Sequence, residues 1–389
     1  MRNGSRQWRS SLRELLAGQG AIHGDAEGIL IMRVTILIGN GFDLALGLRT
    51  RYMDFLEHYR MTNKDIASVR KMKEAIDDDR KKALKRWSCA EEAFGRQKFS
   101  QYGDDVVLVL DECETDFQSA LTSYLKQEER RFKIPQGRES VIRREFRTGI
   151  LRLISLCKAL TPHQKDNPSF ISFIDFNYTS ILDGLLVDPS APTKNSVLVR
   201  SVPTEPDTVR FGMPCHVHGS LRMDNILFGV DDSSQILDDK LRDAAESVGY
   251  LIKPEMDLGT GVRQGEVASR LIDIADVIIV FGMSYGKTDG RWWSQIVNHL
   301  FQDKASAVVL CPYVEDLPKM MSCVKRMRVL EMERNRLISA VRPQASPMVA
   351  SVRDRIQVIG YGPYPDHDRR LNACDPIGLT WIKEQCLSD

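Results

Sequence analysis

Several short clusters in this chain carry the residue types of a ligand site. The first is Gly39-Asn40-Gly41-Phe42-Asp43, which directly follows Val34-Thr35-Ile36-Leu37-Ile38. An apolar, β-favouring run without alternation reads as a buried parallel strand. Two glycines after it allow a tight turn and a close approach of backbone to ligand. A helical pattern follows (Phe42, Leu46, Phe55, Leu56), and a helix starting there aims unpaired N–H groups at the turn. That is the chemistry of a phosphate or nucleotide site, although the third glycine of the dinucleotide fingerprint is missing. The second cluster is Asn177, whose carboxamide both donates and accepts and suits a ribose hydroxyl or a water. The third is His218-Gly219, where an imidazole that titrates near neutrality stands beside a bare backbone position and could act as a general base. The fourth is Gly282-Met283-Ser284-Tyr285-Gly286 with Asp289, where Ser284 could donate to a phosphate.

Each of these residues also has a plainer role open to it. Asp43 lies one residue into a helix, where a carboxylate complements the dipole, or it contacts the ligand. Asn177 and Ser284 are also ordinary turn residues, and Asp289 is placed to cap the helix that begins at Gly290. His216, close to His218 in the chain, reads as structural or supporting. Asp231 and Asp232 form a carboxylate pair, but no further acid or histidine has matching metal-ligand spacing, so no metal is expected. Trp292 and Trp293 read as helix-to-sheet packing.

The elements that must position these residues are strands alternating with helices. After the run at 34–38, strand patterns occur at 170–176, 226–230, 277–281 and 307–311, with helical stretches at 238–248, 266–275, 290–302 and 315–341. Alternation of this kind predicts a parallel sheet with right-handed crossovers. The clusters fall at the ends of strands or beside them, where open parallel sheets bind ligands. Residues 60–165 differ: they are charge-dense, with helical periods at Val106, Leu110, Cys113, Phe117, Leu121 and Tyr124, and at Ile142, Phe146, Ile150, Leu153, Cys157 and Leu160. The fold class expected is α/β, a Rossmann-like parallel sheet with a helical insertion, for which the resemblance described below implies a Sir2/DHS-like form. Residues 1–31 read as a flexible leader or the result of an upstream start codon. The nucleotide-binding domain is assigned to 32–59 and 166–315, the insertion to 60–165 and a C-terminal extension to 316–389.

Bulk properties limit the function classes. The 389 residues are 42% hydrophobic and 28% charged, with a net charge of +1. Near-neutrality argues against an extended nucleic-acid footprint, and the run 80–86, preceded by Asp77, Asp78 and Asp79, reads as a solvated helix face. No apolar stretch has membrane-spanning or signal-peptide length. The eight cysteines lack Cys-x-x-Cys spacing and read as reduced, mostly buried thiols, which predicts a cytoplasmic protein.

Ile38-Gly39-Asn40-Gly41-Phe42-Asp43-Leu44-Ala45-Leu46-Gly47-Leu48, with Thr50, Tyr52 and Phe55, resembles the opening signature of the AbiH family of bacteriophage abortive-infection proteins. The similarity continues through Trp87 and Glu91, Phe176-Asn177-Tyr178, His218-Gly219-Ser220, Phe228-Gly229-Val230-Asp231-Asp232, and Phe281-Gly282-Met283-Ser284 with Asp289. AbiH proteins in turn look distantly like the Sir2-type NAD-binding fold. In that comparison Gly39 to Asp43 fall on the glycine-rich cofactor turn, Asn177 on the catalytic asparagine, His218-Gly219 on the catalytic His-Gly pair, and Gly282 to Ser284 on the Gly-Thr-Ser turn. The resemblance implies NAD or a related nucleotide as ligand and, since Sir2-like defence proteins destroy NAD, cleavage of the nicotinamide–ribose bond. It implies a phage-derived trigger and leaves a homo-oligomer open. The Cys-x-x-Cys pairs of the Sir2 deacylases are absent, which argues against a lysine deacylase, and Phe42 brings a bulky ring to the first turn. Two further readings stay open: a non-catalytic module sensing an ADP-ribose-like ligand, and a nuclease-type toxin using Asp231, Asp232 and the basic residues at 80–86.

Overall fold

The computed structural model describes residues 32–61, 66–81, 91–92, 94–101, 104–163, 167–186, 199–200, 209–249, 251–261, 263–314, 322–362 and 375–387. The leader assigned to 1–31 and the side chains of the 80–86 run lie outside them. The sheet is built from β1 (Met32–Ile38), β2 (Pro168–Asp175), β3 (Val199–Arg200), β4 (Arg210–His216), β5 (Val277–Phe281), β6 (Ala307–Cys311) and β7 (Ile356–Val358). Their order is β3-β4-β2-β1-β5-β6-β7. Every neighbouring pair is parallel except β3 with β4, so six strands form a parallel sheet. The helices are α1 (Gly41–Ala45), α2 (Tyr52–Met61), α3 (Ala67–Lys81), α4 (Val106–Arg131), α5 (Glu139–Lys158), α6 (Ile181–Leu186), α7 (Asp239–Val248), α8 (Lys253–Thr260), α9 (Gln264–Asp273), α10 (Gly290–Gln302), α11 (Cys323–Ala340), α12 (Val349–Val352) and α13 (Leu379–Cys386).

The central strands are apolar throughout because both faces of the sheet are covered. Val34, Ile36 and Ile38 of β1, with Val277, Ile279 and Phe281 of β5, face a core shared with α1, α5, α6 and α13. Leu37, Ile278 and Val280 face the opposite core, shared with α9, α10 and α11. Full burial of one such side chain is worth about 1.5–3 kcal/mol. A third core lies apart from the sheet. There α4 stacks Leu110, Cys113, Phe117 and Leu121 against α2, α3 and α7, and against Phe228 and Val230. The start of α4 is set by Asp105, whose carboxylate accepts the N–H groups of Val107 and Leu108, both at 3.1 Å. Within the 60–165 segment, α3 and α4 thus build the separate core, while α5 packs directly on the sheet.

One strand differs from the sequence reading. The apolar residues expected to form a strand at 226–230 do not join the sheet; among them only Val230 makes a β-bridge, to Ile252. Ile226, Phe228 and Val230 pack into the third core instead. The sheet position belongs to Arg210–His216, which holds Gly212 and Pro214 and so has a weak strand signature. Pro214 is tolerated because the β2–β4 pairing shifts register between Ile171 and Phe173. His218 consequently follows a strand rather than preceding one, which brings it to the carboxyl edge of the sheet. Among the described residues no helix is long and apolar enough to cross a membrane.

Candidate functional site

From β1 the chain moves outward on one side to β2 and β4, and later on the other side to β5, β6 and β7. Strand order therefore reverses at β1, and the carboxyl ends beside it border the crevice where such sheets bind ligands. A cavity of about 490 Å³ lies there. Its wall includes Gly39, Asn40, Gly41 and Asp43 after β1, Asn177 after β2, His218 after β4, and Gly282, Ser284 and Asp289 after β5. Two sequence-predicted residues are not on that wall. Phe42 is buried in the sheet core, edge-on to Phe146 at 6.0 Å between ring centroids. Gly219, at φ +71°, presses on the Asn225 carbonyl, which a Cβ would meet at 1.5 Å.

The glycine turns serve close approach of backbone to backbone. The Gly39 N–H donates to the Phe281 carbonyl (2.9 Å) and the Gly41 N–H to the Gly282 carbonyl (2.8 Å). A Cβ on Gly41 would stand 2.6 Å from the Gly282 Cα, and one on Gly39 would meet the Met283 sulfur. Two of the amides expected to cradle a phosphate are thus already used. Asn40 is locked to Thr50: its Nδ2 donates to the Thr50 carbonyl (2.9 Å) and its Oδ1 accepts from the Thr50 hydroxyl (2.6 Å). Asn177 donates through Nδ2 to the Gly39 carbonyl (3.3 Å), and its backbone N–H donates to Asp175 (2.9 Å). Asp43 accepts from the Thr179 hydroxyl at 2.9 Å, and burial, with Asp175 nearby, holds its carboxyl well above the usual carboxylate range.

His218 belongs to a buried charge network. Its Nε2 lies 2.9 Å from Asp289 Oδ1. The Lys253 ammonium, which only donates, also stands 3.3 Å from Nε2; the shorter contact is to Asp289, which only accepts, and it favours the tautomer with the hydrogen on Nε2 and the lone pair on Nδ1. Lys253, buried at the first position of α8, donates to Asp289 (2.8 Å) and to both oxygens of Glu91 (3.1 Å each). The Thr288 hydroxyl also donates to Glu91, at 2.5 Å. Burial, together with the Lys253 ammonium, lowers the imidazole below its ordinary value, so His218 is a neutral base at pH 7. Burial opposes the charge on Asp289, but Lys253 and His218 outweigh it and hold the carboxyl well below the usual range. Asp289 stands at the helix-cap position yet makes no side-chain cap bond; its carboxylate is spent on the histidine and the lysine.

Burial pushes the Glu91 carboxyl up to about 7, with Lys253 pulling it down and Asp289 adding to the rise. In an unfolded chain a glutamate titrates near 4.3. A carboxyl raised in the fold contributes stability that is fully present below the unfolded value and lost as pH rises through the folded one. Between about pH 4.3 and 7, wild type is therefore expected to lose stability with rising pH relative to Glu91→Gln. Urea midpoints of the two proteins across that range check this, and parallel curves would refute it.

Lys253 was not legible as a site residue. Its one signal is a cation in the first turn of a helix, where the dipole disfavours it. Tyr313 and Glu333, also on the cavity wall, come from the C-terminal part of the chain and carry no motif. The Asp231-Asp232 pair is already engaged. Asp231 accepts from the Arg291 N–H and from Arg342, both at 2.7 Å, and Asp232 caps the short turn at Ser233–Gln235.

The family model described as bacteriophage abortive infection AbiH matches residues 35–311. The chain belongs to the AbiH family. No curated protein matches it closely enough to add a named relative. Family membership places the chain among abortive-infection proteins acting against phage. The AbiH match opens inside β1 and closes on the last residue of β6, so it spans every residue of the His218 network. Tyr313 and Glu333 of the cavity wall, and the edge strand β7, lie beyond it.

Proposed function

We propose that this AbiH chain acts in abortive infection by taking NAD or a related nucleotide into the cavity and hydrolysing its nicotinamide–ribose bond. The observation that carries the reading is that Asn177 and the Asp289-anchored His218 open onto one crevice at the switch point of a parallel sheet. A volume of about 490 Å³ is in the range of small-molecule sites. When the bond breaks, its electron pair leaves with nicotinamide, which departs as a neutral base. The electron-poor ribosyl carbon then takes a water. His218 Nδ1 would accept the proton of that water or of a ribose hydroxyl, and Asn177 would orient it. Arg51 and Ser284 on the wall are the groups of suitable chemistry for phosphate oxygens.

Purified protein incubated with NAD is expected to release nicotinamide, and Asn177→Ala to slow the release by about 10²-fold through lost positioning. Wild-type protein that releases none, or a variant as fast as wild type, would overturn the mechanism. A second reading, a sensor that binds an ADP-ribose-like ligand without turnover, is favoured by the Gly39 and Gly41 amides being committed to carbonyls. Calorimetry separates the two: binding of NAD and ADP-ribose without nicotinamide release supports the sensor.

A further inference from the structure

We propose that Asp175, Asp183 and His216 form a binding site for a divalent transition-metal cation beneath the Asn177 turn. The three come from the end of β2, from α6 and from the end of β4, and each is buried: 0%, 7% and 5% exposed. Their potential ligand atoms lie within 4.8 Å of one another. A cluster of acids alone would mean little; the hydrogen-bond accounting is what points to an occupant. Asp175 Oδ1 accepts the Asn177 N–H, but Asp175 Oδ2 has no hydrogen-bond partner among the described residues. Neither has His216 Nδ1; the two atoms face each other at 3.7 Å, too long for a hydrogen bond though within reach of an ion pair when the ring is charged, and both are sealed from solvent. Leaving a buried polar atom unsatisfied is costly, so native proteins rarely do it without an ion or water in place.

The separation fits a cation. Two ligands each about 2.1 Å from one metal stand roughly 3.4 Å apart at the tetrahedral angle, so the pair, 3.7 Å apart here, would close by a few tenths of an ångström on binding. His216 Nε2 lies 2.9 Å from Asp183 Oδ2. A carboxylate on one ring nitrogen sets the tautomer and leaves the other as a lone-pair donor, the usual supporting arrangement behind a metal-bound imidazole. In this assignment His216 Nδ1 and Asp175 Oδ2 are ligands, Asp183 orients the ring, and water completes the shell. Imidazole with carboxylate suits Mn²⁺ or Zn²⁺ better than Mg²⁺ or Ca²⁺. The sequence offered no spacing signal because Asp175, Asp183 and His216 belong to three separate elements. The site does not depend on the nucleotide reading. Its link to that reading is Asp175, which holds the Asn177 backbone in place.

The test uses the full chain stripped with EDTA and titrated with MnCl₂ alone, since the exposed Cys323 would itself attract Zn²⁺. Calorimetry and Mn²⁺ paramagnetic resonance are expected to show about one bound equivalent, with a raised melting temperature. His216→Gln and Asp175→Asn are expected to weaken binding at least about 10²-fold, and Asp183→Asn by about 10–100-fold. Asp231→Asn, away from the cluster, is expected to bind like wild type. If the ligand variants fail to fold, Co²⁺ added to stripped wild type decides: visible bands of a protein-bound nitrogen–oxygen site support the assignment, and the aquo-ion spectrum overturns it. Absence of Mn²⁺ binding, or undiminished binding in folded His216→Gln and Asp175→Asn, also overturns it.

Discussion

Replacing Lys253 by Met is expected to cost the fold about 3–5 kcal/mol, measured as a fall in the urea midpoint at constant slope. The ammonium is 4% exposed and stands between two carboxylates that are 3% and 6% exposed, Glu91 and Asp289. Removing it leaves buried negative charge with no cation. Glu91 can relieve part of this by taking a proton, because burial already holds its carboxyl at about 7. Asp289 retains His218, which would then become easier to protonate, since the ammonium that helps suppress its charge is gone. The loss should therefore shrink in the double variant Lys253→Met, Glu91→Gln, which removes cation and anion together. Additive losses would show that the two side chains do not act on each other. Lys253→Arg is not expected to restore stability: a planar fork cannot take the place of a compact ammonium shared by three acceptors.

Substituting His218 by Ala is expected to lower nicotinamide release by about 10²–10⁴-fold, the range for loss of a positioned acid–base group. The variant removes the 3.3 Å approach of Lys253 to Nε2 but keeps the Lys253 contacts to Asp289 and Glu91, so it should stay folded by circular dichroism while losing activity. The pH dependence has a definite sign. Burial and Lys253 lower the imidazole pKa, so the neutral base persists at pH 7 and below, and activity falls only as pH drops through that lowered value. Asp289→Asn should move the fall in activity to still lower pH, because the carboxylate that favours the charged imidazole is gone, and should slow the reaction, because an amide accepts the Nε2 hydrogen less firmly and the ring loses its fixed orientation. A His218→Ala protein with wild-type turnover would remove His218 from the mechanism and leave the cavity as a binding site.

The parallel sheet was readable because its central strands are apolar on both faces. Val277–Phe281 is buried residue by residue, and burial on both sides forces an unbroken apolar run. The helical periods through Val106–Arg131 and Glu139–Lys158 were equally plain, although the sequence does not show that one builds a separate core and the other packs on the sheet. The strand Arg210–His216 was hidden by its glycine and proline. The more apolar stretch at 226–230 was expected in its place, because hydrophobicity reports burial and not the surface against which a segment is buried.

The clusters at Gly39, Asn177, His218 and Gly282 were visible as residue types at or beside strand ends, and the fold brings them to one edge. What their neighbours do with them was not visible. The glycine amides pair with carbonyls of the next strand end, Phe42 turns into the core, and Asp289 leaves its capping role to hold the histidine. From sequence alone followed the α/β class, the position of the crevice and the AbiH resemblance, all of which rest on patterns within single elements. Only the tertiary structure decided that Lys253 meets Glu91 across 162 residues of chain and that Asp175, Asp183 and His216 converge. The physical reason is that periodicity records one element meeting one boundary between core and water. A buried ion network records where separate elements end up relative to each other, and it leaves no period in the chain.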